Sequence, residues 1–170
     1  MRIAVFSPYG NLPGVDLISS NFIFLLASYL KQRKSEIVAL KCDGCLERCS
    51  LDLAIGSNQK RHCLSCMNAQ KNLINWANLT AQSLSDFLVA EDLKKINQNF
   101  SDATFLLENL PAAGLVLLQE YVAKNSENIN QTSKLQKTSL ILSFALRKLI
   151  TELKPKLLLT HSSNDLLTGL

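Results

Sequence analysis

Arg2-Ile3-Ala4-Val5-Phe6-Ser7 opens the chain with an apolar run of strand length, and Glu36-Ile37-Val38-Ala39-Leu40-Lys41 repeats that character after one intervening segment. Neither run alternates apolar with polar residues. Uninterrupted apolar strands are those that a parallel sheet buries on both faces. Between them, Ile18, Phe22, Leu25, Leu26 and Tyr29 recur at helical spacing. Lys31, Arg33 and Lys34 follow, where cations favour the negative end of a helix dipole. The spacing predicts a helix over 17–33 and then a two-residue break. Strand, helix, strand is the βαβ unit of parallel α/β proteins, and these 41 residues decide the fold class.

Downstream, Leu73, Trp76, Leu79, Leu84 and Leu88 follow a helical period, which predicts helices from about 67 to 90. Trp76, alone in a polar segment, is read as a packing residue rather than a sugar platform. The stretch 97–104 reads as loop, and Pro111 suits the first turn of a helix over 111–124. The clearest helical stripe is Leu135, Leu142, Leu146, Leu149 and Leu153, which Pro155 terminates. Lys156 to Thr160 is then a Leu-rich strand, and His161-Ser162-Ser163-Asn164-Asp165 a polar turn. A new apolar stretch begins at Leu166, which predicts that the chain is one domain of a longer protein.

The chain has 170 residues, enough for one domain that buries roughly 70% of its unfolded surface. Hydrophobic residues are 47% and charged residues 19%, a balance that argues against disorder. The longest nearly uncharged apolar stretches, Phe22 to Ala27 and Ser139 to Leu146, fall far short of the ~20 residues that cross a bilayer. The run after Arg2 ends too early for a signal peptide, so a cytoplasmic address is expected. The net charge of +4 comes from scattered Lys and Arg, which argues against nucleic acid as partner and leaves peripheral contact with a membrane surface open.

All five cysteines lie between positions 42 and 66. In a reducing compartment such a cluster points to metal binding or catalysis rather than to disulfides. Cys42 and Cys45 form one C-x2-C pair, Cys63 and Cys66 another, and 17 residues separate the pairs. That is zinc-site spacing: each tight turn points two sulfurs at one ion, and the longer segment folds back to complete a tetrahedron. Cys49 leaves five thiols for four positions, so the set is Cys42, Cys45, Cys63 and Cys66 or Cys42, Cys49, Cys63 and Cys66. An iron–sulfur cluster accepts the same four thiolates. His62, flanked by Arg61, reads as a solvated loop residue.

The combination of Arg2 to Ser7, Cys42-Asp43-Gly44, Cys49 and Cys63-Leu64-Ser65-Cys66 resembles the N-terminal halves of bacterial capsule and surface-polysaccharide glycosyltransferase-like proteins. The resemblance implies an α/β fold: a Rossmann-like parallel sheet with a cysteine-rich loop and a helical insertion. On this chain it implies a single N-terminal domain over 1–170, with a metal-binding loop at 42–66 and a helical insertion at 67–130. The return through a long helix, a strand and a polar turn matches Ser133 to Lys154, Lys156 to Thr160 and His161 to Asp165. Such proteins often carry an Asn-Gly pair near that turn, and this chain does not. The resemblance further implies Cys42, Cys49, Cys63 and Cys66 as ligands of a structural zinc, with an iron–sulfur cluster as the alternative. It implies the acceptor-side half of a GT-B-type enzyme that meets nucleotide sugar and glycan acceptor through the full-length protein.

Ligands of open α/β sheets bind beyond the carboxyl ends of the strands, which directs attention to Pro8–Asp16 and His161–Asp165. The first loop lacks a G-x-G-x-x-G pattern but has glycines that allow close approach. Asn11, Gly14, Ser162 and Asn164 are the expected acceptor contacts. Glycosyl transfer needs a base for the acceptor hydroxyl, and His161 or Asp165 is expected to supply it, with Asp16 third. Ser162, Ser163 and Asn164 are equally of the type that caps a helix. A non-catalytic zinc-binding interaction module and an iron–sulfur redox protein are the competing function classes.

Overall fold

The structure, a computed structural model, describes residues 1–6, 17–46, 59–111, 115, 118 and 129–160. Four strands, β1 (Arg2–Phe6), β2 (Glu36–Lys41), β3 (Thr80–Ser83) and β4 (Leu157–Thr160), form one sheet in the order β3-β2-β1-β4. Every pairing is parallel. Among the described residues the continuous helices are α1 (Leu17–Gln32), α2 (Gln59–Trp76), α3 (Ala90–Asn99), α4 (Ala103–Asn109) and α5 (Ile129–Leu153), with a 3-10 turn at Leu84–Phe87. The chain is therefore an α/β protein.

β1 is central, and its side chains alternate between two cores as strand geometry requires. Ile3 and Val5 pack with Ile37 against Ile23 and Ala27 of α1. Phe24 of α1 and Leu73, Ile74 and Ala77 of α2 extend that layer over Ala39. On the opposite face Ala4, Phe6 and Leu40 pack with Leu135, Leu142, Ala145 and Leu149 of α5, together with Leu84, Phe87 and Ile96. Helices thus cover both faces, which is why Ile3–Phe6 and Ile37–Leu40 are apolar at every position.

Helix ends explain the strand entries. Lys34 takes a positive φ of 63° after α1, and Ser35 N–H returns to Leu30 O at 3.2 Å. Asn78 repeats the device after α2 with φ 52°, Leu79 N–H returning to Ile74 O at 3.0 Å. This six-to-one closure satisfies the last carbonyls and turns the chain directly into β2 and β3. Arg2 closes the amino edge: its guanidinium donates to Leu153 O at 2.8 Å and pairs with Glu36 at 2.9 Å. Because that ion pair is half-exposed, it contributes at most about 1 kcal/mol.

The predicted βαβ unit is present nearly residue for residue, and the last strand begins at Leu157. Four expectations need correction. The stretch 67–90, expected to be helices, is helical only to Trp76 and then contains β3 and the 3-10 turn, because Asn78 ends α2 and Thr80–Ser83 pairs with Val38–Lys41. The insertion at 67–130 is therefore not wholly helical. The loop expected over 97–104 shrinks to 100–102, since Asp102 caps α4 by accepting from Phe105 N–H at 2.9 Å. Trp76 is not a packing residue, for it lies 63% exposed, lining an open groove between α1 and α2. Of the helix expected over 111–124, Leu115 and Leu118 are described as helical.

Leu142 is fully buried beneath the sheet, whereas Leu107 is largely exposed. Leu142→Ala is expected to cost about 2–5 kcal/mol in denaturant unfolding, and Leu107→Ala less than about 0.5 kcal/mol.

Candidate functional site

A parallel sheet sends all its carboxyl ends to one edge, here Phe6, Lys41, Ser83 and Thr160. The order runs 3-2-1 and then jumps to 4, so the chain direction of winding reverses between β1 and β4. At that reversal Phe6 pairs with Thr160. The segments that start at Ser7 and His161 therefore begin from neighbouring strand ends. Asn11, Gly14, Asp16, His161, Ser162, Asn164 and Asp165 themselves lie outside the described residues.

One strand over, Lys41 leads into Cys42. Its backbone N–H donates to Gln70 Oε1 at 3.1 Å, and Gln70 is 1% exposed. Gly44 has φ 84°, a conformation that side-chain-bearing residues rarely adopt, and a Cβ built there would lie 3.7 Å from Met67 Sδ. Ser85 Oγ donates to Asp43 Oδ2. The segment 42–46 is thus braced by α2 on one side and by the turn after β3 on the other.

Cys63 and Cys66 belong to α2 rather than to a loop, which corrects the expectation of a continuous metal-binding loop over 42–66. Their spacing with Gln70 puts all three on one face of that helix. Cys42, Cys45 and Cys66 are half-buried and pack against the same core as Leu84 and Phe87. None of the four described cysteines is in a disulfide. Cys49 lies outside the described residues.

The Cys42 thiol is lowered to about 7, chiefly by a hydrogen bond from Cys45 and further by backbone N–H groups of Gly44 and Leu46, against the opposing effect of burial. The Cys45 thiol is pushed strongly upward by the same hydrogen bond and by burial, so it stays protonated. Cys42 therefore loses its proton near neutral pH, and its thiolate accepts from the Cys45 thiol. N–H groups converging on a sulfur favour its anionic form, which is the form that ligates metals.

The donor chemistry of this turn fits a thiophilic cation. Its arrangement is incomplete: among the described residues no three His, Cys, Asp or Glu side chains are grouped as an ion would require. The segments of the two C-x2-C pairs are joined by the Cys42–Gln70 hydrogen bond, and the described side chains do not close on a common centre. Gln70 was not singled out from sequence. Read as a helix from residue 59, the segment would have revealed it, because Gln70 repeats the Cys63–Cys66 face one turn on.

No family model, curated protein or solved structure matches this chain.

In chelator-treated protein, alkylation of Cys42 is expected to rise through a midpoint near the value of about 7. Below that pH the thiol is protonated and the reaction slows about tenfold per pH unit. Cys45→Ala removes the donor that stabilises the thiolate, so the midpoint should move upward. Peptide-resolved labelling rates check both.

Proposed function

We propose that this chain is the acceptor-side, Rossmann-like domain of a glycosyltransferase of surface or capsular polysaccharide synthesis, with a structural zinc site at its cysteines. The observation that carries the reading is the Phe6–Thr160 pairing. It starts the two sequence-predicted loops from adjacent strands at the reversal of strand order, where open α/β sheets bind ligands. The order 3-2-1-4 is also the first part of the doubly wound order 3-2-1-4-5-6.

In this reading Asn11, Gly14, Ser162 and Asn164 hold the glycan acceptor by hydrogen bonds. His161, or Asp165, accepts the proton of the acceptor hydroxyl as its oxygen bonds to the sugar's anomeric carbon. The bond from that carbon to the nucleotide diphosphate breaks, and the diphosphate leaves with the electron pair. The nucleotide sugar binds mainly to a second domain of the full-length enzyme. A cytoplasmic location suits both a nucleotide-sugar donor and reduced thiols.

Cys42, Cys49, Cys63 and Cys66 would hold the zinc, with Cys45 as hydrogen-bond donor to Cys42 or as the alternative to Cys49. When bound, the ion supplies a cross-link between the end of β2 and α2, and the transfer chemistry does not pass through it. Among the described residues no helix is long and apolar enough to cross a membrane.

Replacing Cys63 and Cys66 with Ser is expected to abolish bound metal in elemental analysis and lower Tm. Unchanged metal content would eliminate the ligand assignment. A colourless metal-loaded protein is expected, whereas an iron–sulfur cluster would absorb in the visible. In the full-length protein, His161→Ala or Asp165→Asn should reduce glycosyl transfer by about 10²–10⁴-fold while acceptor binding persists. Wild-type turnover in both variants, or no binding of any nucleotide sugar or glycan, refutes the transferase reading.

A further inference from the structure

The layer formed by α1 and α2 combines two features that are invisible along the chain. Residues 17–34 and 59–78 contain Lys31, Arg33, Lys34, Lys60, Arg61 and Lys71, and no Asp or Glu, although the chain has fourteen acids. The two helices pack side by side, so Lys31, Arg33, Lys34 and Lys71 belong to one helical layer. The same layer exposes large apolar side chains. Phe22, Leu25 and Tyr29 recur along one face of α1 and are each at least half-exposed, as are Leu64 and Trp76 of α2.

Phe22, Leu25 and Trp76 line an open groove of about 970 Å³ between the helices, with Asn21, Asn68 and Asn72 as its polar lining. Cations gather at one end. Arg33 lies over the Tyr29 ring at 5.3 Å, and Lys31 Nζ donates to Asn78 O, two residues beyond Trp76. Glu36, which opens β2 just after α1, is engaged by Arg2 at 2.9 Å.

We infer that the α1–α2 face docks on an anionic lipid surface. Exposed apolar patches of this extent mark interaction sites. Aromatic and aliphatic side chains beside cations, without acids, match the boundary between headgroups and acyl chains of a negatively charged leaflet. A second copy presenting the same face would oppose cation to cation. Neutral amides in the groove hydrogen-bond to headgroup oxygens, while Trp76 and Phe22 enter the acyl boundary. This inference does not depend on the glycosyltransferase reading.

Trp76 is the sole tryptophan, so it reports on the face directly. The full chain is titrated with phosphatidylcholine vesicles with and without phosphatidylglycerol, at low and high salt. The expected result is a blue shift of Trp76 emission and quenching by brominated acyl chains, with the anionic vesicles only, weakened by salt. Phe22→Ser with Leu25→Ser, exposed positions that leave the circular dichroism unchanged, should weaken partition by about tenfold. Lys31→Gln with Arg33→Gln should remove the preference for anionic lipid. No spectral change with either vesicle overturns the proposal, as does equal binding to neutral vesicles. A lipid-independent shift that grows with protein concentration would identify a second copy as the occupant and overturn it too.

Discussion

The structure depends on β1 being hydrogen-bonded on both sides by parallel neighbours. Pairing Arg2–Phe6 with Glu36–Leu40 on one side, and Ile3–Phe6 with Leu157–Thr160 on the other, fixes the direction of every strand. All carboxyl ends then emerge on one edge. Burial of both faces beneath helices makes the arrangement stable, since Ile3, Ala4, Val5 and Phe6 are each no more than 1% exposed. Water is excluded from the ladder, and the apolar area removed stabilises it by roughly 25 cal/mol per Å².

From that constraint the placement of the chemistry follows. The cysteine turn sits at the end of β2, and the segments containing His161 and Asn11 start from the ends of β4 and β1. The junction of the turn with α2 is specific because it is polar and buried. Gln70 could not remain almost fully buried without partners, and Cys42 N–H is the one that its Oε1 accepts from. One hydrogen bond thereby positions one thiol pair beside the other.

The sequence made the central sheet legible because its strands are buried on both faces; α1 was legible as a helix, but of its predicted stripe Phe22, Leu25 and Tyr29 face outward, and Ile23, Phe24 and Ala27 make the packing. β3 was hidden for the opposite reason. Thr80-Ala81-Gln82-Ser83 is an edge strand with no apolar pattern, and only the turn at Asn78 and pairing with β2 reveal it. Cys63 and Cys66 read as loop residues because zinc spacing says nothing of secondary structure, yet they lie on α2. Trp76 misled because helical period alone does not say which face is covered. The cationic character of the α1–α2 layer was likewise hidden, since its charges are distant in sequence and only the packing of α1 beside α2 brings them onto one layer.

X-ray absorption at the zinc edge, on protein purified without added metal, tests the account at its centre. The thiol pairs at the end of β2 and on α2 predict one zinc per chain with four sulfur neighbours at about 2.3 Å. A first shell of oxygen and nitrogen, or protein that keeps no metal, would contradict the joint site.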